Sequence, residues 1–277
     1  MSIIKRKILT LISVIKKPEM EILPGNLAFS LVISITPVLT LFVLLASFLP
    51  ISTDTLMNFM IKTFPQDVSD ILIPFMNGTG FNLNVGVYLI IGFMIASNGL
   101  YSVITSSNTL YKKESSTTIK RRIKAVMLAI MLVFLFIFIL IVLAFGNSIL
   151  KLFITLYPGS EFFETLYAIY VFMKWPLGFV AIFFNINLIY AFAPDSLIPS
   201  KYTRKGALFT TFAWMIVTSI YSYYVSNIAN YDAIYGGLSS IMVMMIWIYI
   251  LSFVFVLGIA LNASNYKMAI STNNNES

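Results

Sequence analysis

Six long runs of uncharged, mostly apolar residues constrain this chain more than any other feature. They contain no Asp, Glu, Lys or Arg and cover residues 26–49, 85–111, 125–150, 175–193, 206–231 and 233–265. An α-helix rises ~1.5 Å per residue, so about 20 residues cross a hydrocarbon layer of ~30 Å, and most of the runs are long enough. A membrane-spanning strand would instead alternate in polarity over ~10 residues. The sequence therefore predicts an all-α integral membrane protein with six transmembrane helices.

The basic residues predict its orientation. The N-terminal segment, the second and fourth connections and the C-terminal tail hold 15 of the 18 Lys and Arg residues, and the other connections hold only Lys62, Lys151 and Lys174. Short cytoplasmic loops collect Lys and Arg, so both termini are predicted to be cytoplasmic, with the loop from Ile51 to Asn82 outside. Because these bases lie next to the membrane ends, we expect them to contact anionic lipid headgroups and not nucleic acid.

The chain divides into three predicted parts. Residues 1–24 form a basic amphipathic cytoplasmic segment that Pro18 and Pro24 end, residues 25–265 form the six-helix transmembrane domain, and residues 266–277 form a short polar tail. The segment from Tyr101 to Tyr111 matches the segment from Tyr221 to Tyr231 at four of eleven positions. The match is either coincidence or the trace of a 3+3 inverted repeat of the kind found in transporters.

The composition excludes several kinds of catalytic site. The chain has no cysteine and no histidine, so a disulfide framework, a thiol nucleophile and histidine-ligated zinc or haem are excluded. The carboxylates are few and scattered over several connections. We therefore expect no catalytic site, no metal site and no cofactor, and predict that the protein is not an enzyme.

Polar residues inside the predicted spans are neutral. Four of them, together with Pro37, are predicted to line a common polar cavity: Ser34, Asn98, Asn187 and Tyr221. A buried amide or hydroxyl costs about 1–3 kcal/mol when it is unpaired, so such groups should converge on one another or on water. The alternative is that they join helices without holding any ligand.

Three glycines predict close packing of the last span. Gly236 and Gly237 lie at its outer entry and Gly258 lies near its inner end. A residue without a side chain lets two helix backbones approach each other, so a close approach is expected at both ends.

Four stretches of the chain resemble a known family. They are residues 28–41, 96–111, 187–214 and 231–262, and the most specific motif is Gly258-Ile259-Ala260-Leu261-Asn262. Together they resemble the YihY/BrkB membrane proteins, once labelled ribonuclease BN. In that family a Glu often stands between the Gly and the Asn, whereas Ala260 stands here, which puts any role of that acid in doubt for this chain.

The resemblance implies a six-helix, multi-pass protein of the bacterial inner membrane whose biochemical activity is unsettled. The ribonuclease label does not fit, because the genuine enzyme of that name resembles metal-dependent hydrolases that need several histidines. The uncharged spans and Pro37 favour transport of a neutral, zwitterionic or lipid-like solute. The alternative is a non-transporting envelope scaffold or partner subunit. The identity of the solute and the formation of a homo-oligomer are left open.

Overall fold

The computed structural model describes residues 12–46, 91–113, 116–140, 146–227, 231 and 235–275. Seven long helices occur within these ranges: α1 (Glu19–Ala46), α2 (Asn98–Tyr111), α3 (Thr118–Leu140), α4 (Gly146–Leu156), α5 (Glu161–Phe192), α6 (Ser200–Asn227) and α7 (Ser239–Asn275). A single 3-10 turn, Gly236–Leu238, leads into α7. No strand occurs in this part of the chain, so the all-α prediction is confirmed for it.

Two of these helices are long and apolar enough to cross a membrane. They are Ser200–Asn227, which is α6, and Ile241–Ile270 within α7. Helix α5 adds a third if Glu161–Met173 and Pro176–Phe192, which meet at 53°, form one bent span. The predicted loop from Ile51 to Asn82 lies outside the described residues. The count of six spans, the cytoplasmic termini and the inverted repeat remain predictions.

Two helices run through the predicted domain boundaries. Pro24 was expected to end the N-terminal segment, but it lies inside α1, which continues to Ala46. A proline removes one helical hydrogen bond, and here Leu23 and Leu27 are buried on either side of it, so packing holds the helix together. At the other end α7 continues to Asn275, through the region predicted to be a polar tail.

The ends of α2, α3, α6 and α7 that carry the basic residues meet at one end of the bundle, which we call the basic end. The ring of Tyr266 on α7 lies 5.9 Å from the ring of Tyr111 on α2 and 5.2 Å from the ring of Tyr202 on α6. Helices α6 and α7 are antiparallel, because Gly206 bonds Asn262 whereas Tyr221 bonds Val243. The opposite end, where α6 ends and α7 begins, is called the distal end.

Helix α6 presents its small residues to the protein and its large ones to the surroundings. The buried face consists of Thr203, Gly206, Ala207, Thr210 and Thr211. The exposed face carries Phe212, Ile216, Ile220 and Tyr223. Small interior residues and large apolar exterior ones are the arrangement expected in lipid, where the hydrocarbon solvates large side chains and small ones let the backbones approach.

Candidate functional site

At the basic end, α6 and α7 cross in direct backbone contact. A Cβ atom at Gly206 would meet the side chain of Asn262 and the carbonyl oxygen of Gly258. A Cβ atom at Gly258 would meet the hydroxyl groups of Thr210 and Tyr190. Neither position has room for a side chain, so the two glycines determine how closely the helices pack.

Buried hydrogen bonds fasten the same crossing. Asn262 is fully buried, its Oδ1 accepts a hydrogen bond from the Gly206 N–H at 2.8 Å, and its Nδ2 donates to the Thr203 carbonyl at 2.9 Å. The Tyr190 hydroxyl donates to the Phe255 carbonyl at 2.8 Å and lies 2.8 Å from Thr210 Oγ1. Polar groups paired in this way escape the penalty of burial, so this half of the interface is both polar and closed.

Asn187 joins α5 to the same layer. Its Oδ1 accepts a hydrogen bond of 2.7 Å from the Thr203 hydroxyl. Thr203 therefore contacts two asparagines, Asn187 through its side chain and Asn262 through its carbonyl. Asn187, one of the predicted cavity residues, therefore lies among α5, α6 and α7 at the basic end.

Ser34 lies at a second close crossing, between α1 and α2. Its Oγ accepts a hydrogen bond from the Gly99 N–H at 3.2 Å and lies 3.1 Å from the Ile95 carbonyl oxygen. A Cβ atom at Gly99 would come within 2.7 Å of Leu31 Cδ2. Pro37 lies in α1, one turn beyond Ser34 toward the distal end.

Asn98, next to Gly99, has a cationic partner. Its Oδ1 accepts a hydrogen bond of 2.8 Å from Arg122 Nη1. Arg122 belongs to the second turn of α3 and lies outside the predicted third span, whereas Asn98 was predicted near the middle of the second span. The contact therefore places Asn98 level with the basic end of α3.

Tyr221 lines an open groove of about 590 Å³ between the distal halves of α6 and α7. Among the residues that the structure describes, its lining is uncharged and consists of Thr218, Tyr221, Ser222, Val225, Ser226, Tyr231, Ser239, Val243, Met244 and Trp247. Six of these ten residues bear a hydroxyl group. The Tyr221 hydroxyl itself donates to the Val243 carbonyl at 2.8 Å.

The structure thus distributes the predicted cavity residues over three places. Ser34 and Asn98 are neighbours at the α1–α2 crossing, Asn187 lies at the α5–α6 contact, and Tyr221 lies in the groove. Within the described ranges their hydrogen bonds run to separate partners. A cavity shared by all of them remains a prediction.

The predicted packing glycines differ from one another. Gly258 lies at the backbone crossing, whereas a Cβ atom at Gly236 would meet nothing within 4 Å. Gly236 instead has a φ of +52°, in the left-handed region that favours glycine, and it starts the 3-10 turn with Gly237 as its next residue. Its role is conformational, because the chain must turn there into α7.

One polar cluster was not predicted. Asp195 Oδ2 accepts hydrogen bonds of 2.8 Å from Asn108 Nδ2 and from the Ser116 N–H, and Asn108 Oδ1 accepts one of 2.9 Å from the Asp195 N–H. Lys124 Nζ lies 3.8 Å from Asp195 Oδ1 and donates to the Pro194 carbonyl at 2.5 Å. This Asp195 clasp ties the α5–α6 connection to α2 and α3.

The clasp also holds its carboxylate in the charged form. Burial by itself would raise the pKa of Asp195, but the hydrogen bonds from Ser116 and Asn108 and the charge of Lys124 together lower this pKa below its usual range. The sequence does contain a signal for the clasp. Between the fourth and fifth uncharged runs, Asp195 is the one acidic residue, and the other charged residues there, Lys201, Arg204 and Lys205, are basic.

Comparisons with known proteins agree on one family. A family model described as virulence factor BrkB matches residues 11–276. A Bacillus subtilis protein named as ribonuclease-like, YfkH, is 29% identical over 247 residues, which cover 88% of this chain and 89% of that protein. A UPF0761 membrane protein of Alteromonas mediterranea is 24% identical over 252 residues, covering 87% and 81% of the two chains. No solved structure shows a significant match.

Proposed function

This chain belongs to the BrkB virulence factor family of membrane proteins, and we propose that it transports a neutral, zwitterionic or lipid-like solute across the bacterial cytoplasmic membrane. The uncharged groove between α6 and α7 carries the proposal. Its hydroxyl groups can exchange hydrogen bonds with a polar headgroup, while Val225, Val243, Met244 and Trp247 offer apolar contact. A small molecule with one polar and one apolar part fits such a lining.

The lack of charge among the described lining residues restricts the proposed solute. A fixed ion inside a low-dielectric site needs a compensating charge, and these ten residues supply none. A molecule without net charge avoids that cost. For this reason the proposal names neutral and zwitterionic molecules and not inorganic ions.

The basic half of the same helix pair supplies a barrier. Gly206 and Gly258 leave no space between the helices, and Asn262 on α7 forms hydrogen bonds with α6 across this contact. A solute bound in the groove could pass this layer only if the crossing separated. Access from alternating sides of a central barrier is the general scheme of secondary transporters.

We propose the predicted topology together with this function. Six spans with both termini in the cytoplasm place the basic end at the cytoplasmic face, since Lys and Arg collect there. The groove then opens toward the outer face of the membrane. In this arrangement the described conformation is closed inside and open outside.

Transport can be tested in liposomes that contain the purified protein. One arm follows swelling driven by neutral or zwitterionic solutes, and the other follows loss of a fluorescent phosphatidylcholine from the inner leaflet. Ser222→Trp fills the groove, whereas Ser219→Trp on the same helix is exposed and lies outside the groove lining. We expect one solute class to move faster than in protein-free liposomes and Ser222→Trp to reduce that rate about tenfold, as expected when ~1.4 kcal/mol of binding is lost.

The control variant should retain the wild-type rate. If folded protein moves none of these solutes above the background, transport is refuted and the scaffold or partner-subunit function takes its place. If both tryptophan variants lose activity equally, the groove is not the solute site.

A further inference from the structure

Two neighbouring arginines on α3 lie against one aromatic ring of α2. The guanidinium carbon of Arg122 is 4.8 Å from the centre of the Tyr101 ring, and that of Arg121 is 5.5 Å from the same centre. Both distances fall within the range of cation–π contacts. Tyr101 therefore brings two positive charges together at one place on the α2–α3 surface.

Neither charge is neutralised in the described part of the chain. The salt bridge found there joins Lys124 to Asp195, and the partners of Arg122 are neutral: Asn98 Oδ1 at 2.8 Å and, at 3.3 Å each, the Met94 carbonyl and Ser97 Oγ. All three contacts use Nη1. Arg121 Nε is buried without a hydrogen-bond partner. Two guanidinium groups held side by side repel each other, and an anion between them would remove that cost.

Arg122 is also held in place before any ligand arrives. Its Nη1 bridges the point where the helix through residues 91–96 is interrupted at Ser97 and continues as α2. A fixed guanidinium loses little conformational freedom when it binds an oxyanion, and its planar fork suits a carboxylate or phosphate. The remaining Nε and Nη2 donors are not used by the described residues.

The surface beside the pair is apolar and exposed. Ile119, Ile123 and Met127 follow one another at four-residue spacing on α3, and 72%, 56% and 66% of their surfaces are exposed. Ile91 and Met94, in the segment before α2 whose Met94 carbonyl bonds Arg122, are also exposed. In a membrane protein such a surface contacts acyl chains. Basic residues at its edge lie where phospholipid phosphates lie.

We propose that Arg121, Arg122 and Tyr101 form a binding site for the phosphate of an anionic phospholipid, with the Ile119–Ile123–Met127 stripe receiving its acyl chain. The proposal does not depend on transport, because it concerns a different face of the protein. The chemistry recognised is a phosphate group, and the adjacent apolar stripe selects the lipid-bound form over free phosphate.

Thermal unfolding of the purified protein in neutral detergent tests the site. Phosphatidylglycerol, phosphatidylcholine and inorganic phosphate are added separately, and Arg122→Gln and Arg121→Gln are compared with Lys120→Gln. Lys120 is exposed on the same turn, and its side chain makes no hydrogen bond or salt bridge within the described residues. A ligand that binds only folded protein raises Tm, and a shift of about 3 °C or more is expected for phosphatidylglycerol.

The proposal requires this shift in the wild type and in Lys120→Gln and its loss in both arginine variants. If Arg122→Gln does not fold, Arg121→Gln is the deciding variant, because no hydrogen bond of the Arg121 side chain is found among the described residues. An equal shift with phosphatidylcholine would show that the site does not select anionic lipids, and this result would overturn the proposal. An equal shift with inorganic phosphate overturns the lipid assignment, and an equal shift in all four proteins overturns the role of the arginines.

Discussion

The α6–α7 pair is closed in its basic half and open in its distal half. In the basic half two glycines bring the backbones into contact, and Asn262 and Tyr190 satisfy their hydrogen bonds across buried surfaces. In the distal half the side chains are larger, and the groove of about 590 Å³ lies between the same two helices. The two halves therefore differ in the residues that line the contact between the helices.

This difference shows how one helix pair can combine a seal with a binding surface. Association of helices in lipid depends on van der Waals contact and on polar pairs, because no hydrophobic force drives the helices together. Glycine and Asn supply both in the basic half. In the distal half Tyr221, Val243 and Trp247 line the groove together with several hydroxyl groups.

Substitutions at Gly206 and Gly258, the glycines at the backbone contact, should reduce stability more than any other change in the α6–α7 pair. Gly258→Leu would drive a side chain into Thr210 and Tyr190, so we expect a loss of about 3 kcal/mol or more of unfolding free energy and poor recovery of folded protein. Gly25→Ala is the control, because its Cβ would meet nothing within 4 Å and helix propensity favours the change by up to ~1 kcal/mol. Thermal unfolding in detergent measures both. Similar stability of the two variants would contradict a backbone contact at Gly258.

Replacing one asparagine in each half should give the next largest difference in stability. Asn262→Ala removes buried hydrogen bonds to the Gly206 N–H and the Thr203 carbonyl and leaves a small cavity, which should cost about 2–3 kcal/mol. Asn227→Ala, at the exposed distal end of α6, removes only a bond to Tyr223 one turn earlier and should change stability by less than ~0.5 kcal/mol. Unfolding in a denaturant series compares them. Equal losses would mean that burial does not distinguish the two halves.

Removing one tyrosine hydroxyl from each half tests the same difference between the closed and open halves. Tyr190→Phe removes a hydroxyl that bonds the Phe255 carbonyl and Thr210 in a fully buried place, and should cost about 1–2 kcal/mol. Tyr221→Phe removes a hydroxyl at the groove and should cost about 0.5 kcal/mol or less, since water can replace it at the carbonyl of Val243. The order of the two unfolding temperatures is the result to check, and a reversed order would contradict the assignment of closed and open halves.

The smallest effect should be the pH dependence of stability that Asp195 contributes at the basic end. The pKa of Asp195 is lower in the folded protein than in the unfolded chain, so its contribution to stability is present above the usual carboxyl pKa of ~4 and is lost as the pH falls through the folded value. Asp195→Asn should flatten this acid limb of the stability curve. The described lining of the groove contains no carboxylate, and Ser222→Ala should leave the loss of stability at acid pH unchanged.

Sequence patterns indicated the helices far better than the contacts between them. Charge-free runs identified α6 and α7, because a long run of apolar residues restricts the chain to helices in lipid. They could not show that α1 would pass through Pro24, since burial of Leu23 and Leu27 decides that. They also could not show which glycine faces a neighbouring backbone, and Gly206 was not identified as a packing residue although its contacts match those of Gly258.

Residue type also failed to predict partners across long separations in sequence. Asn98 and Asn187 are alike as polar residues in apolar runs, yet one bonds Arg122 and the other bonds Thr203. Asp195 and Asn108 are 87 positions apart and become partners only when α2 and the α5–α6 connection meet at the basic end. Such pairs depend on how the helices pack together, and local sequence patterns do not show which distant residues will meet.

Cysteine accessibility along α6 tests the closed and open halves most directly, since the chain contains no cysteine of its own. Thr211→Cys places a thiol on the buried face, and Ser222→Cys places one in the groove, 11 positions further along the same helix. Both variants are treated with a hydrophilic maleimide in the folded state and again after denaturation. Rapid labelling at residue 222 in the folded state, with residue 211 labelled only after denaturation, is the predicted result. Equal labelling of the two folded variants would contradict a sealed basic half and an open distal groove.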